Sequence, residues 1–331
     1  MLGGLRDLLA GAIGHFAATV LLGAVVIMTY LAFNVLFLIW LERKVSGRIQ
    51  RRHGPTEVGP HGSLQTVADM VKLLGKQILT PVATDRFVYV LAPLLIFLPT
   101  ICLASLIPLS GAEAFADQPY GLVVIIALSA VSVLAIFMAG WSSNNKYAVL
   151  GGMRSVAQVI AYEIPVLLAA LAVVLVAQTL SLRGIVAAQA RGVPFILLQP
   201  VAAALYFIGI TAETNRSPFD IPEAESELVG GFHTEYSGMR FAMFFFAEYT
   251  NMLVLGALGA TLFLGGWLGP WLPGPVWLLL KAYAVIVVMM WMRWTFPRLR
   301  FDQLMTFAWK ILIPVALVNL VVTALVVGGA G

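Results

Sequence analysis

Charge is what this 331-residue chain has least of: 11% of its residues are Asp, Glu, Lys or Arg, against about 25% in an ordinary soluble domain. With 60% hydrophobic residues and a mean hydropathy of +0.94, no core of this size hides so much apolar surface from water. Lipid must be the solvent for much of the chain. Cysteine is almost absent too. The single thiol, Cys102, excludes an internal disulfide and the several thiolates that an iron–sulfur cluster takes. The four histidines (His15, His53, His61, His233) show no metal-ligand spacing, and no HExxH, glycine-rich nucleotide loop or nucleic-acid motif occurs. No bound metal, flavin or cluster is expected, nor a nucleic-acid partner; in any redox chemistry the electrons arrive on another subunit. A cleavable signal is not expected, because the first apolar stretch runs 26 residues without a charge, beyond the roughly 7–15 of a signal h-region.

What the chain does have is apolar runs of spanning length, about 20 residues each. They cover 16–41, 87–110, 119–141, 155–178, 194–212, 241–265, 276–292 and 306–328. Only helices and closed barrels satisfy the backbone in lipid, and barrel-type alternation is missing. The expectation is an all-α, polytopic membrane protein of about eight helices, with amphipathic helices in its loops. No repeat or linker divides it, so 1–331 reads as one membrane domain. Loops one, three, five and seven share a side and carry 15 Lys or Arg, against three on the other. By the positive-inside rule the odd loops are cytoplasmic and both termini lie outside.

Two odd loops are more than connectors. The first, 42–86, carries a net +4. From Leu64 to Ile78 it turns helical, with Leu64, Val67, Val71, Leu74 and Ile78 on one face and Gln65, Asp69, Lys72 and Lys76 on another. Such a helix lies in the interface or lines a cavity with its polar stripe turned from lipid; a solvated basic loop would not explain Asp69 in that stripe. Within the fifth loop, 213–240, residues 213–235 hold six carboxylates and one arginine, a net −5 on the side where cations collect. Pro218 and Pro222 forbid a continuous helix there. Crowded carboxylates near a low-dielectric boundary repel, and at least one should hold a proton more readily than usual. A plain acidic surface would lack the interleaved Phe219, Ile221, Leu228, Val229 and Phe232. Opposite charge should draw loops one and five together. Loop seven, 293–305, adds Arg293, Arg298 and Arg300 on the same side.

Ionisable residues inside spans are costly and functional by default. Glu163 lies in span four, Glu248 in span six, and Glu213 at the inner end of span five. Tyr162 and Tyr249 flank two of them as candidate hydrogen-bond donors. No span holds a carboxylate in its outer half, so the chain reads as half a path, and protons or the signal that moves them leave sideways to another subunit.

The motifs then point to a family. Glu42-Arg43-Lys44 closes span one, followed by Gly54-Pro55, Leu64-Gln65, Ala68-Asp69 and Lys72. Trp141 to Tyr147, with Arg154, Gln158 and Tyr162-Glu163, marks the third loop and fourth helix. The most specific string is Glu213-Thr214-Asn215-Arg216-Ser217-Pro218-Phe219-Asp220, then Pro222 to Leu228. Glu235-Tyr236, Glu248-Tyr249 and the run from Arg293 through Pro297 to Met305 complete the set. In this order the chain resembles the quinone-site membrane subunit (the H subunit of bacteria) of proton-pumping NADH:quinone oxidoreductase, respiratory complex I. The resemblance implies a subunit of the bacterial inner membrane that joins the membrane arm to the quinone-proximal subunits of the peripheral arm. It implies quinone as substrate, in a chamber lined or supported by Glu42, Arg43, Arg52, Asp69, Lys72, Arg216, Asp220, Glu223, Glu225, Glu227 and Arg293. It also implies a proton path that begins at Glu163, Glu213 and Glu248.

Three positions depart from the pattern: Thr56 stands where Asn is common, Phe301 where Tyr is, and the third helix lacks the carboxylate that some members carry. An autonomous cation or proton transporter is a competing reading, opposed by the missing outer carboxylate. A related subunit of a membrane-bound hydrogenase or formate-oxidising complex is another, distinguished by the soluble subunits that co-purify.

Overall fold

The computed structural model describes residues 15–111, 118–222 and 225–329. Helix α1 (His15–Ile49) has 35 residues and no proline, so it runs about 52 Å, well past a hydrocarbon layer of roughly 30 Å. It therefore carries Glu42, Arg43 and Lys44 beyond the expected end of the span on rigid helical backbone. After a turn at Pro60–Gly62 comes the short α2 (Gln65–Gly75). Then follow α3 (Arg86–Leu106), α4 (Gly121–Ser142) and α5 (Lys146–Ala177). The second half holds α6 (Leu182–Ala190), α7 (Phe195–Leu198), α8 (Pro200–Glu213) and α9 (Glu225–Leu228). Last come α10 (Gly238–Phe263), α11 (Gly274–Thr295), α12 (Phe301–Phe307), a π turn at Ala308–Leu312, and α13 (Ile313–Gly329).

Among the described residues seven helices are long and apolar enough to cross a membrane, and none of these residues forms a strand. The all-α, multi-pass class holds. The fifth expected span differs. It breaks at Gln199, whose φ of −129° and ψ of 56° leave the helical region, and Pro200 restarts the helix as α8. Pro200 has no N–H to continue the ladder from α7 but suits a first helical position. With 14 residues, α8 reaches about 21 Å, short of a full crossing on its own. The Gln199 side chain, buried at the break, donates to Thr323 Oγ1 at 2.9 Å and accepts from Asn319 at 3.3 Å. The π turn has a comparable cause: Pro314 offers no hydrogen to the Lys310 carbonyl, and the ladder slips by one residue.

Helix α10 packs on α1, α3 and α11, while α5 packs on α4, α8 and α13. Helices α4 and α5 meet closely through small residues: a methyl on Gly140 would stand 2.7 Å from the Ala148 carbonyl oxygen. The ends of α1, α8 and α11 and the start of α10 gather at one end of this bundle, and the charged residues gather with them.

Candidate functional site

The site begins where α8 stops. Asn215 takes a left-handed φ of 49°, a conformation asparagine tolerates better than most residues. The Asn215 N–H then bonds the Ala212 carbonyl at 3.1 Å and the Arg216 N–H bonds Thr211 at 3.2 Å, the double closure of a Schellman turn. Gln158 of α5 clamps the turn, donating from Nε2 to the carbonyls of Ala212 (2.8 Å) and Phe219 (2.7 Å). The chain is thereby reversed, and Arg216 is sent back into the bundle.

There Arg216 bridges two carboxylates. Nη1 lies 3.4 Å from Glu42 Oε1 and Nη2 lies 3.1 Å from Glu248 Oε1. Its guanidinium sits 4.8 Å from the centre of the Tyr249 ring, a cation–π contact. Glu42 also accepts from Arg293 of α11 and from the Tyr249 hydroxyl at 2.7 Å. Two carboxylates and two guanidiniums from α1, α10, α11 and the loop after α8 thus neutralise one another. Glu42 and Arg216 are 7% and 6% exposed, a depth at which an unpaired charge would not persist. The flanking tyrosines have other partners than expected. Tyr249 serves Glu42, and Tyr162 donates to the Leu304 carbonyl at 3.0 Å.

The fifth loop closes over this cluster. Phe219, Ile221, Leu228 and Phe232 are buried, while Val229 is exposed. Asp220 pairs with Arg298 Nη2 at 3.0 Å, and the Leu299 N–H bonds the Pro218 carbonyl at 3.0 Å. Burial pushes the Asp220 carboxyl above its ordinary range against the opposing pull of Arg298, Arg293 and Arg216, so the cause is loss of water around the group and not the repulsion among crowded carboxylates that the sequence suggests. Glu227 pairs with Arg154 at 2.7 Å, and Glu235 accepts from Asn145 at 2.6 Å. The cations that meet loop five therefore come from loop seven and the start of α5. Loops one and five do meet through charge, in the Glu42–Arg216 pair with signs opposite to the loops' net charges, and also along a seam where Leu79 N–H bonds Ser237 Oγ (2.9 Å) and Arg240 bonds Thr80 Oγ1 (2.8 Å).

A second ion pair, Arg43 with Asp69, lies within loop one. Asp69 turns inward on α2 and accepts from Arg43 Nη1 at 2.6 Å and from Gln65 at 3.1 Å. Burial draws its carboxyl upward, but those two hydrogen bonds and the charges of Arg43 and Lys72 outweigh it and hold the group below its ordinary range. Val67, Val71 and Leu74 face outward. Arg52 and Lys72 are exposed, Arg52 bonding Gln50 at 2.6 Å. Glu223 lies outside the described residues, as does the side chain of Glu225. No group of three or more His, Cys, Asp or Glu placed to hold a metal occurs among the described residues.

Two cavities continue inward from the cluster. The first, about 60 Å³, is lined by Glu248, Glu213, Ser129, Ser132, Asn215, His233 and Asn251 among apolar neighbours. The second, about 30 Å³, is lined by Glu213, Glu163, Ser129 and Asn251 with Leu103, Ile125 and Val254. A water needs roughly 10–15 Å³ and two or more polar partners, so both have room for water. Glu213 belongs to both walls, so it stands between the cavity of Glu248 and the more apolar cavity of Glu163. Burial pulls the His233 imidazole down to about 4, leaving it neutral beside this space near neutral pH. Sequence reasoning missed His233, Ser129 and Asn251, since a lone histidine, serine or asparagine carries no pattern of its own.

The family profile described as NADH dehydrogenase matches residues 22–324. The chain belongs to the NADH dehydrogenase family. Among its relatives within this family, the H subunit of NADH-quinone oxidoreductase from Geobacillus kaustophilus is 52% identical over 311 residues, 92% of each chain. Its counterpart of the same name from Carboxydothermus hydrogenoformans is 49% identical over 307 residues, covering 92% of this chain and 87% of that one. That of Dehalococcoides mccartyi is 47% identical over 300 residues, 91% of this chain and 84% of that one. The match to the NADH dehydrogenase profile takes in every element of the site described above, from Glu42 to Arg298.

Proposed function

We propose that this member of the NADH dehydrogenase family is the membrane subunit of a proton-pumping NADH:quinone oxidoreductase, that its charged end forms much of the quinone chamber, and that Glu248, Glu213 and Glu163 couple quinone reduction to proton movement. The chamber residues are Glu42, Arg43, Arg52, Asp69, Lys72, Arg216, Asp220, Glu223, Glu225, Glu227 and Arg293. The charged loops face the cytoplasm, both termini face outward, and the neighbours are other membrane-arm subunits, the quinone-proximal peripheral subunits, and lipid.

One observation carries the coupling: Arg216 touches Glu42 and Glu248 at once, and Glu248 shares a cavity with Glu213. Reducing a quinone to a quinol takes two electrons and two protons. The electrons come from a partner; the protons, or the charge imbalance they leave, act on the carboxylates nearest the head group. Any change in charge around Asp220, Glu42 or Arg293 alters how Arg216 divides itself between Glu42 and Glu248. Glu248 then gains or loses its compensating charge, and its demand for a proton changes with it. The proton it takes or gives moves through Glu213 toward Glu163, at low dielectric where such couplings are large.

The test is Glu213→Gln in membranes that contain the assembled enzyme, with NADH-driven quinone reduction and proton uptake read together. The expected result is loss of most pumping and of the quinone reduction tied to it, with NADH oxidation by ferricyanide retained. Full pumping by both Glu213→Gln and Asp220→Asn would overturn the assignment.

A further inference from the structure

The two cavities share more than Glu213. Ser129 of α4 and Asn251 of α10 line both, and apart from Glu213 and Glu163 they are the only polar side chains on the second wall. Asn251 stands one helical turn beyond Glu248 on the same face. Ser129 Oγ lies 2.8 Å from the Ile126 carbonyl oxygen and 3.2 Å from Glu163 Oε1. One hydroxyl hydrogen thus has two acceptors in reach.

A serine that bonds back to its own helix is commonplace, and the 2.8 Å contact with Ile126 needs no other account. That reading leaves unexplained why the same oxygen lies within reach of Glu163 and borders both water-sized spaces. We propose that Ser129 is the proton-carrying link between Glu213 and Glu163, with Asn251 holding the water that reaches it. The inference rests on the reading of Glu213 and Glu163 as a proton path.

The chemistry separates the two roles. A hydroxyl donates and accepts, so it can take a proton from one side while releasing its own to the other. An amide has no proton to lose near neutral pH, but its oxygen and nitrogen fix a water by accepting and donating. The O–H bond of the Glu213 carboxyl breaks as a water takes that proton. The water passes one of its own hydrogens to Ser129 Oγ, and the Ser129 hydrogen moves to Glu163 Oε1. One proton has travelled, and water and serine are restored with their hydrogens reversed. The next transfer requires both to turn back. The Ile126 carbonyl gives the Ser129 hydrogen a resting partner during that return.

The experiment uses the assembled enzyme in liposomes, driven by NADH and a short-chain quinone, with Ser129→Ala, Ser129→Thr, Asn251→Val and Glu163→Gln compared with the wild type. Ser129→Ala should lower the pumping rate about tenfold, toward the low end of what a positioned proton-transfer group contributes, and raise the solvent deuterium isotope effect on pumping. Ser129→Thr keeps the hydroxyl and should restore both readouts. Asn251→Val should shift them in the same direction by a smaller factor, and Asn251→Ser, which retains a water-binding group, replaces it if Val prevents assembly. NADH oxidation by ferricyanide should be unchanged throughout. Wild-type pumping and isotope effect in Ser129→Ala, alongside loss of pumping in Glu163→Gln, overturns this link and leaves the carboxylate path standing. Equal loss in Ser129→Ala and Ser129→Thr, or loss without a change in isotope effect, also overturns it, since packing alone would then account for the residue. Unimpaired Glu163→Gln overturns the path itself.

Discussion

At one end of the bundle Glu42, Arg216, Glu248 and Arg293 neutralise one another, with Asp220 and Arg298 paired above them. At the other end Lys281 donates to three carbonyl oxygens, those of Leu264 (2.7 Å), Gly266 (2.9 Å) and Leu268 (2.6 Å). Gln189 nearby donates to the Thr261 carbonyl at 2.9 Å. Both ends bury polar groups, and at the charged end Asp220 Oδ1 and Gln158 Oε1 have no hydrogen-bond partner among the described residues. The difference lies in the acceptors. Lys281 gathers carbonyls of the turn that follows α10, groups that cannot change protonation state near neutral pH. The acceptors of the cluster at Glu42 are carboxylates, which can, and Arg216 is shared between two of them on separate elements. The first arrangement fixes a shape; the second can redistribute charge.

Removing the shared cation is the strongest way to break this comparison. Arg216→Leu leaves Glu42 and Glu248 facing each other with Arg293 as the remaining cation of the cluster. Stranding a buried charge costs about 3–5 kcal/mol. Thermal unfolding of the purified enzyme should show that loss, together with loss of quinone reduction, while Arg216→Lys recovers part of both. If Arg216→Leu unfolds like the wild type, the buried cluster is not the ion network described here.

A smaller effect tests the neutral group beside the charged end. The His233 pKa falls from 6.5 in an unfolded chain to about 4, so the unfolded state takes up the proton first as the solution is acidified. The stability from keeping it neutral is complete above about pH 6.5 and is lost as pH falls toward 4. Over that interval the loss is on the order of 3 kcal/mol, and His233→Gln should flatten this component of the pH–stability curve. An unchanged curve would mean that His233 is more open to water than its packing against Phe232 and Phe241 allows.

Lys281→Met sharpens the comparison from the opposite end. Three carbonyls lose their donor, and each buried group left without one costs about 1–3 kcal/mol, reduced where water or a shift in the chain compensates. A total near 2 kcal/mol should appear in thermal unfolding. Quinone reduction per assembled enzyme and its pH profile should stay at wild-type values. A shifted pH profile would make Lys281 part of the proton chemistry and erase the contrast between the ends.

Much of this was legible in the sequence because lipid is an exacting solvent. Charge-poor runs marked the spans, and Glu163, Glu213 and Glu248 stood out because a carboxylate at such a place is costly and a packing role is the less frequent explanation for three of them on consecutive helices. The break at Gln199 was harder to see, since one glutamine among apolar residues leaves mean hydropathy high, while Pro200 was ambiguous between a kink and a new start. Pairing was least legible. Net loop charges of +4 and −5 implied attraction, but a sum says nothing about direction. The Schellman turn at Asn215 sends the lone arginine of the acidic run inward to Glu42, and the run itself meets Arg154 and Arg298. Ser129 was invisible for a related reason. A carboxylate in a span announces itself, but a hydroxyl reveals its use only when another helix brings Glu163 within 3.2 Å.

The mildest test asks how far the charged end extends along loop one. Arg43 and Asp69 are bonded at 2.6 Å, yet their side chains are 42% and 37% exposed. Pairs at that exposure contribute about 0.2–1 kcal/mol and weaken with salt. The Asp69 pKa is lowered in the folded chain, so its stabilisation is present above the ordinary carboxylate range and fades as pH falls through that lowered value. Asp69→Asn should therefore cost under about 1 kcal/mol at pH 7, cost nothing in strong acid, and cost less at high salt. Hydrogen exchange of the α2 amides is the sensitive readout, because most of α2 is exposed and such an element opens locally before the core does. A loss of several kcal/mol that salt leaves unchanged would place Asp69 with Glu42 and Glu248, inside the cluster rather than at its solvated margin.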